Sequence, residues 1–339
     1  MKTQALVLGS ILFHVLPAIA DVAVPKVGAR PAPNPSVTAS PAGGPIRESA
    51  TLHVGACGDS VTLDDRFVYW VDRQSGGYRI MRTPKAGGET TVLYRPSLAY
   101  ALLARGGALW FTGLPEGQRV EVSPAFLRLD LGTGAVRRLG SVNSGYARLG
   151  ADGGAVYLTE MRVANDGTPS HTVTRFDERT SQSKIVLRSE GVSEFQAHGG
   201  RLFWVGQDEA ATVHEVTART EAKVPAPGPS FWNHLAVSDD SYFVLREGWQ
   251  IVRTFRGSGK QEVFARGRGL SFGPTLDGDD LFLATEGGVA VFPTRTGTGR
   301  LPRTISGEYG SFAADETDVY HFARAADDLC ELRRAPRPR

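Results

Sequence analysis

Along most of this chain, apolar and polar residues alternate in short runs that are broken every few residues by Gly, Pro, Asp or Asn. Period-two alternation with β-branched and aromatic enrichment predicts strands. Nowhere after residue 50 does an apolar period of 3.6 persist for three turns. Within the alternation one unit recurs seven times: a short apolar stretch, a turn of Asp or Gly, then an apolar pair centred on an aromatic. The copies are Val68-Tyr69-Trp70, Leu109-Trp110-Phe111, Val156-Tyr157-Leu158, Leu202-Phe203-Trp204, Tyr242-Phe243-Val244, Leu281-Phe282-Leu283 and Val319-Tyr320-His321. Their central aromatics stand at 69, 110, 157, 203, 243, 282 and 320, so the steps are 41, 47, 46, 40, 39 and 38 residues. A period of about forty built from short strands predicts an all-β, seven-bladed β-propeller with one four-stranded blade per repeat.

The first repeat shows how a blade is written. Ser60 to Leu63 reads as an inner strand, Asp64-Asp65-Arg66 as a turn and Phe67 to Val71 as a second strand. Tyr78 to Arg82 and Thr90 to Tyr94 follow around Pro84-Lys85-Ala86-Gly87-Gly88. A single blade has two apolar faces and covers neither, so stability requires a complete ring in which each central aromatic fills the space between neighbours. The last repeat has only three strands, near 312–314, 319–322 and 329–332, while Thr51-Leu52-His53-Val54 is spare at the other end. The N-terminal strand is therefore expected to complete the last blade and remove an open edge. Cys57 and Cys330 then fall at adjoining strand ends, and a disulfide between them is expected.

The ends of the chain set the domain organisation. Met1-Lys2, the apolar stretch Ala5 to Leu16 and the small-x-small Ala18-Ile19-Ala20 read as a signal peptide over 1–20. Residues 21–48, rich in Pro, Ala, Gly and Ser, read as a disordered tether, 49–336 as the propeller and 337–339 as a basic tail. A periplasmic or secreted location follows, consistent with a disulfide. The apolar stretch is short for a bilayer, so no stable membrane span is expected. Net charge is +2, from 38 basic and 36 acidic residues, which argues against nucleic acid as a partner. Of the basic residues only six are Lys; the Arg excess reads as coding bias, and the four arginines of the last seven residues as a solvated tail.

Motifs that would carry chemistry are few. Asp277-Gly278-Asp279-Asp280 begins like a calcium loop, but the sixth position is Phe282 rather than Gly and the twelfth is Gly288 rather than Glu. In repeat phase it is a hairpin turn, like Asp64-Asp65 and Asp315-Glu316. Gly257-Ser258-Gly259-Lys260 lacks the rest of a phosphate-binding loop and reads as another hairpin. His171, His198, His214 and His321 have no metal-ligand spacing, and there is no Gly-x-Ser-x-Gly elbow. What escapes the repeat is the entry to each innermost strand, nine and ten residues before each aromatic. Its polar members, Asp59, Tyr100, Arg148, Glu194, Asn233 and His234, are the ligand-binding candidates, brought together at the mouth of a central channel. Tyr100 and Arg148 rank first, since aromatic and Arg side chains concentrate binding energy.

The first repeat, from Val68-Tyr69-Trp70 through Tyr78-Arg79-Ile80-Met81-Arg82 to Pro84-Lys85-Ala86-Gly87-Gly88, resembles the repeat unit of uncharacterised secreted bacterial propeller proteins. Gly106-Gly107-Ala108-Leu109-Trp110-Phe111-Thr112-Gly113 and Gly153-Gly154-Ala155-Val156-Tyr157-Leu158-Thr159-Glu160 are similar to the repeat of streptogramin lyases. That second resemblance implies a seven-bladed ring and, in its own family, a His, an acid and a magnesium ion; the matching residues here are the structural part of the repeat. The expected function is an exported monomeric binding or interaction module for a small ligand or an envelope or extracellular protein, without a cofactor. The alternative is a metal-dependent lyase or lactonase with a divalent metal at the channel mouth.

Overall fold

The computed structural model describes residues 49–337 except 75–76, 120–121, 143–146, 164–168, 191, 207–211, 217–220, 226–233, 247–249, 267–274, 286–287, 295–302, 307–310 and 327–328, and except side chains bordering some of these segments. Arg47–Arg339 forms one compact unit. Every regular element among the described residues is a strand. The strands form seven four-stranded antiparallel sheets, and the protein is an all-β propeller. Six sheets are each built from consecutive strands, spanning 58–94, 98–141, 147–190, 192–225, 234–266 and 275–306. The first strands of successive sheets pack against one another, so these are the innermost strands.

The seventh blade joins the two ends of the ring. Phe312–Ala314, Asp318–Ala326 and Leu329–Pro336 are its inner three strands, and Ala50–Gly55 pairs with Leu329–Pro336 as the fourth. Gly55 stands opposite Cys330, and Cys57 and Cys330 form the expected disulfide with Cα atoms 4.8 Å apart. Aromatic side chains press on the backbone beside it. A Cβ on Gly58 would lie 2.5 Å from both Phe322 Cζ and Trp70 Cδ1, so only Gly fits where the first and seventh blades converge.

Seven apolar clusters hold the sheets together, and each spans one pair of neighbouring blades. Tyr69 belongs to the cluster between the first and second blades, Trp110 to the next, then Tyr157, Phe203, Phe243 and Phe282. Tyr320 lies in the cluster joining the seventh blade to the first, together with Val68, Trp70 and Phe322. Each central aromatic thus fills a different junction. Six of the seven are at most 1% exposed, so each side chain contributes its full apolar area, on the order of 2–3 kcal/mol.

Turn chemistry explains why the hairpins recur. Asp64 Oδ1 accepts the N–H groups of Arg66 and Phe67, while Oδ2 accepts the Tyr69 hydroxyl at 2.6 Å. Asp315 does the same work for Thr317, Asp318 and Tyr320 in the last blade. The segment from Asp277 is a hairpin, with Asp277 paired to Asp280, and the 257–260 segment closes another through the Gly259 N–H to Phe255 O.

Three of the four C-terminal arginines, Arg333, Arg334 and Arg337, are not a solvated tail, and Arg339 lies outside the described residues. Arg337 donates to Asp280 Oδ2 at 2.7 Å, to Asp277 Oδ2 at 2.6 Å and to the carbonyls of Asp277 and Asp315, and its guanidinium lies 4.9 Å from the Phe282 ring centroid. Arg334 donates to the Lys85 carbonyl and Arg333 to Glu331. Similar bridges cross other junctions. Arg256 reaches Glu215 at 2.8 Å and lies over Phe203 and Tyr242, Lys85 reaches Asp315 at 2.8 Å, and Arg105 reaches Glu178 at 2.6 Å. Part of the Arg excess therefore serves to tie blades together.

Candidate functional site

The innermost strands of the first, second and fourth blades begin irregularly, and this positions the candidate side chains there. In the first blade Asp59 stands opposite Val71 and Thr62 opposite Tyr69, leaving Ser60 and Val61 against Trp70 alone. In the second, Ala99 faces Gly113 and Leu102 faces Phe111, leaving Tyr100 and Ala101 against Thr112. In the fourth, Ser193 is the extra residue between Val192 and Glu194. Such bulges bend a strand and re-aim the side chains at its start. Ser60 adopts a φ of 54°, a left-handed conformation that costs about 1–3 kcal/mol for a residue other than Gly. The neighbouring Val61 N–H donates to Ser311 Oγ of the seventh blade at 2.7 Å, which holds the bulge in place across the junction.

Around these entries lies a cavity of about 500 Å³. Asp59, Ser60, Tyr100 and Ala101 line it from the first two blades, and Thr275, Ser311 and Phe312 from the sixth and seventh. Arg73 and Tyr78 complete the wall from the far ends of the second and third strands of the first blade, where they pair with each other. The Arg73 guanidinium sits 5.8 Å from the Tyr78 ring centroid. Asp59, Arg73 and Tyr100 are exposed, Tyr100 to 39%. The arrangement offers a carboxylate, a guanidinium, two phenols and three aliphatic hydroxyls around an apolar floor of Ala99, Ala101 and Phe312.

Of the six sequence candidates, Asp59 and Tyr100 line this cavity. Arg148 is exposed on the inner strand of the third blade, opposite Thr159, and outside the cavity lining. Glu194 is the third residue of the fourth blade's inner strand, opposite Val205, and His234 begins that of the fifth, opposite Leu245. Asn233 falls outside the described residues, as do Phe272, Gly273 and Gly310 at equivalent positions. Arg73, Tyr78 and Thr275 were not candidates. Arg73 and Tyr78 lie on the second and third strands of the first blade, and their extension toward the mouth is visible only once their hairpin is built.

Near Arg148 is a buried histidine. His171 is 8% exposed, its Nδ1 has no hydrogen-bond partner, and burial followed by the positive charge of Arg148 pushes its pKa below the usual imidazole value. His321 is also buried, which lowers its pKa, although Nδ1 faces the Phe322 carbonyl. Both are held neutral near pH 7. Among the described residues no group of three or more His, Cys, Asp or Glu is placed to hold a metal ion, and no helix is long and apolar enough to cross a membrane.

No protein-family model and no curated protein matches the chain. Solved structures do. An oligogalacturonate lyase from Vibrio parahaemolyticus superposes with a TM-score of 0.61 at 10% identity, covering 86% of this chain and 98% of that one. BamB from Moraxella catarrhalis gives a TM-score of 0.52 at 14% identity, over 85% and 96% of the two chains. A Pyrococcus horikoshii acylaminoacyl peptidase gives 0.59 at 12% identity, over 82% of this chain and 50% of that one. At these identities the likeness is one of fold.

Proposed function

We propose that the protein is an exported seven-bladed binding module whose ligand site is the mouth cavity at the entries of the innermost strands. The carrying observation is that residues from four blades converge there, those of the first two through bulges at the start of their innermost strands. Packing alone asks for the same residues in every blade, as the seven central aromatics show. Asp59 and Tyr100 differ although each stands ten residues before its blade's central aromatic, and with Thr275 and Ser311 they surround one concavity of ligand size. Strain at Ser60 in the same wall supports this reading, because such conformations cluster at ligand sites. Export is supported by the Cys57–Cys330 bond, which persists in an oxidising compartment. The partner is a small or oligomeric ligand, or a protein segment from the envelope or the extracellular space.

The test is a thermal-shift screen of saccharides, peptides and small metabolites against the wild type and Tyr100→Ala. Ligands of the mouth raise the melting temperature of the wild type and lose most of that effect in the variant. Ligands that stabilise both proteins equally place the site elsewhere.

A further inference from the structure

The mouth cavity has a neighbour. A second cavity of about 370 Å³ is lined by Tyr78, Arg79, Arg95, Ser97 and Glu116, among others. Arg79 belongs to the first blade and Glu116 follows the second strand of the next, so this cavity lies over their junction. Tyr78 lines both cavities, so one phenol ring stands between them. That ring packs against the apolar cluster joining the first two blades, which fixes its orientation.

Charge decides what the pair of cavities suits. The Arg79 guanidinium is already matched by Asp72, which is 2% exposed and accepts both its Nε, at 2.9 Å, and its Nη2 on one oxygen. The remaining charges are Arg73 and Arg95 against Asp59 and Glu116. All four are exposed, and none has an opposite-charge partner among the described residues. A polyanion or a polycation would meet as much repulsion as attraction here. A peptide adding as a strand would need a free sheet edge, and Gly77–Pro84 is already paired on both sides. A neutral chain rich in hydroxyls meets neither obstacle. Its hydroxyls can bond to carboxylate, guanidinium and Ser groups, while the C–H faces of its rings rest on the phenols of Tyr78 and Tyr100.

From this, and resting on the mouth reading above, we infer that the two cavities form one groove for an extended neutral oligosaccharide, running from the channel mouth across Tyr78 to the junction of the first and second blades. The probes are neutral gluco-, manno- and xylo-oligosaccharides from monosaccharide to hexasaccharide, compared by calorimetry with an acidic oligosaccharide and a peptide pool. At least one neutral series binds, and its affinity rises with length until both cavities are filled. Arg95→Ala and Glu116→Ala, at exposed positions that leave the fold intact, weaken the hexasaccharide by about tenfold while leaving the disaccharide unchanged, and Tyr100→Ala weakens both. Affinity independent of length, or a hexasaccharide indifferent to both outer variants, removes the groove and leaves the mouth site standing. Tyr100-dependent binding of the acidic chain or of peptides alone overturns the ligand class, and so does an absence of binding in every arm.

Discussion

Substituting Cys57 by Ser tests ring closure with little other disturbance. Cys57 is exposed, so Ser replaces it without opening a cavity, while the Cys330 side chain stays in the apolar cluster of the last junction. The bond links residues 273 apart in sequence, nearly the whole ring. Loop-closure entropy for a separation of that size amounts to about 5–6 kcal/mol, an upper figure because a denatured chain retains some structure. For the compact unit the unfolding entropy is on the order of 0.6 kcal/mol per kelvin, so the loss corresponds to a fall of roughly 9 °C in melting temperature. The assay is thermal unfolding of both proteins with and without reductant. The wild type should fall to the level of the variant when reduced, and the variant should not respond to reductant. A variant that melts within about a degree of the oxidised wild type would show that pairing of Ala50–Gly55 with Leu329–Pro336 closes the ring unaided, and would refute the entropic argument.

Other perturbations test the remaining links. Arg337→Ala removes two ion pairs, one to Asp280 with 18% of its side chain exposed and one to Asp277 with 43%, and should cost about 3 kcal/mol after allowance for solvent at Asp277, read by denaturant unfolding. Asp315 is pushed up by burial, but the Lys85 ammonium and the N–H groups of Thr317 and Asp318 outweigh this and hold its pKa at about 2. A depressed carboxylate contributes stability above its unfolded pKa and loses it as pH falls through the folded value; roughly 2 kcal/mol should therefore disappear between about pH 4 and pH 2, and Lys85→Met should lose most of that dependence. Deleting Thr51 to Val54 should lower the melting temperature, whereas deleting residues 21–48 should leave it unchanged; equal melting temperatures would mean the ring closes some other way.

What was legible in the sequence depended on where each partner lies. The central aromatics announced themselves because every blade poses the same packing problem, and all seven fill separate junctions. Closure was legible because one strand was spare at one end and one missing at the other. Counting back from the aromatics reached five residues of the mouth cavity: Asp59, Ser60, Tyr100, Ala101 and Ser311. The interblade arginines were hidden because their carboxylates sit in the neighbouring repeat, as Glu178 does for Arg105 from a turn 73 residues away. No local pattern marks such a pair; only the stacking of one blade on the next sets its register. Arg73 and Tyr78 were hidden for a related reason, since strand length beyond the repeat core decides whether a hairpin reaches the mouth.

The claim that binding occurs at the entries of the innermost strands is tested most directly by amide hydrogen exchange of the full protein with and without a saturating ligand from the screen. Protection should appear at Gly58 to Val61, at Leu98 to Leu102 and at Ser311 and Phe312, while the outer strand Val136–Ser141 is unchanged. Protection confined to outer strands, with the three entries exchanging as in the free protein, would contradict it.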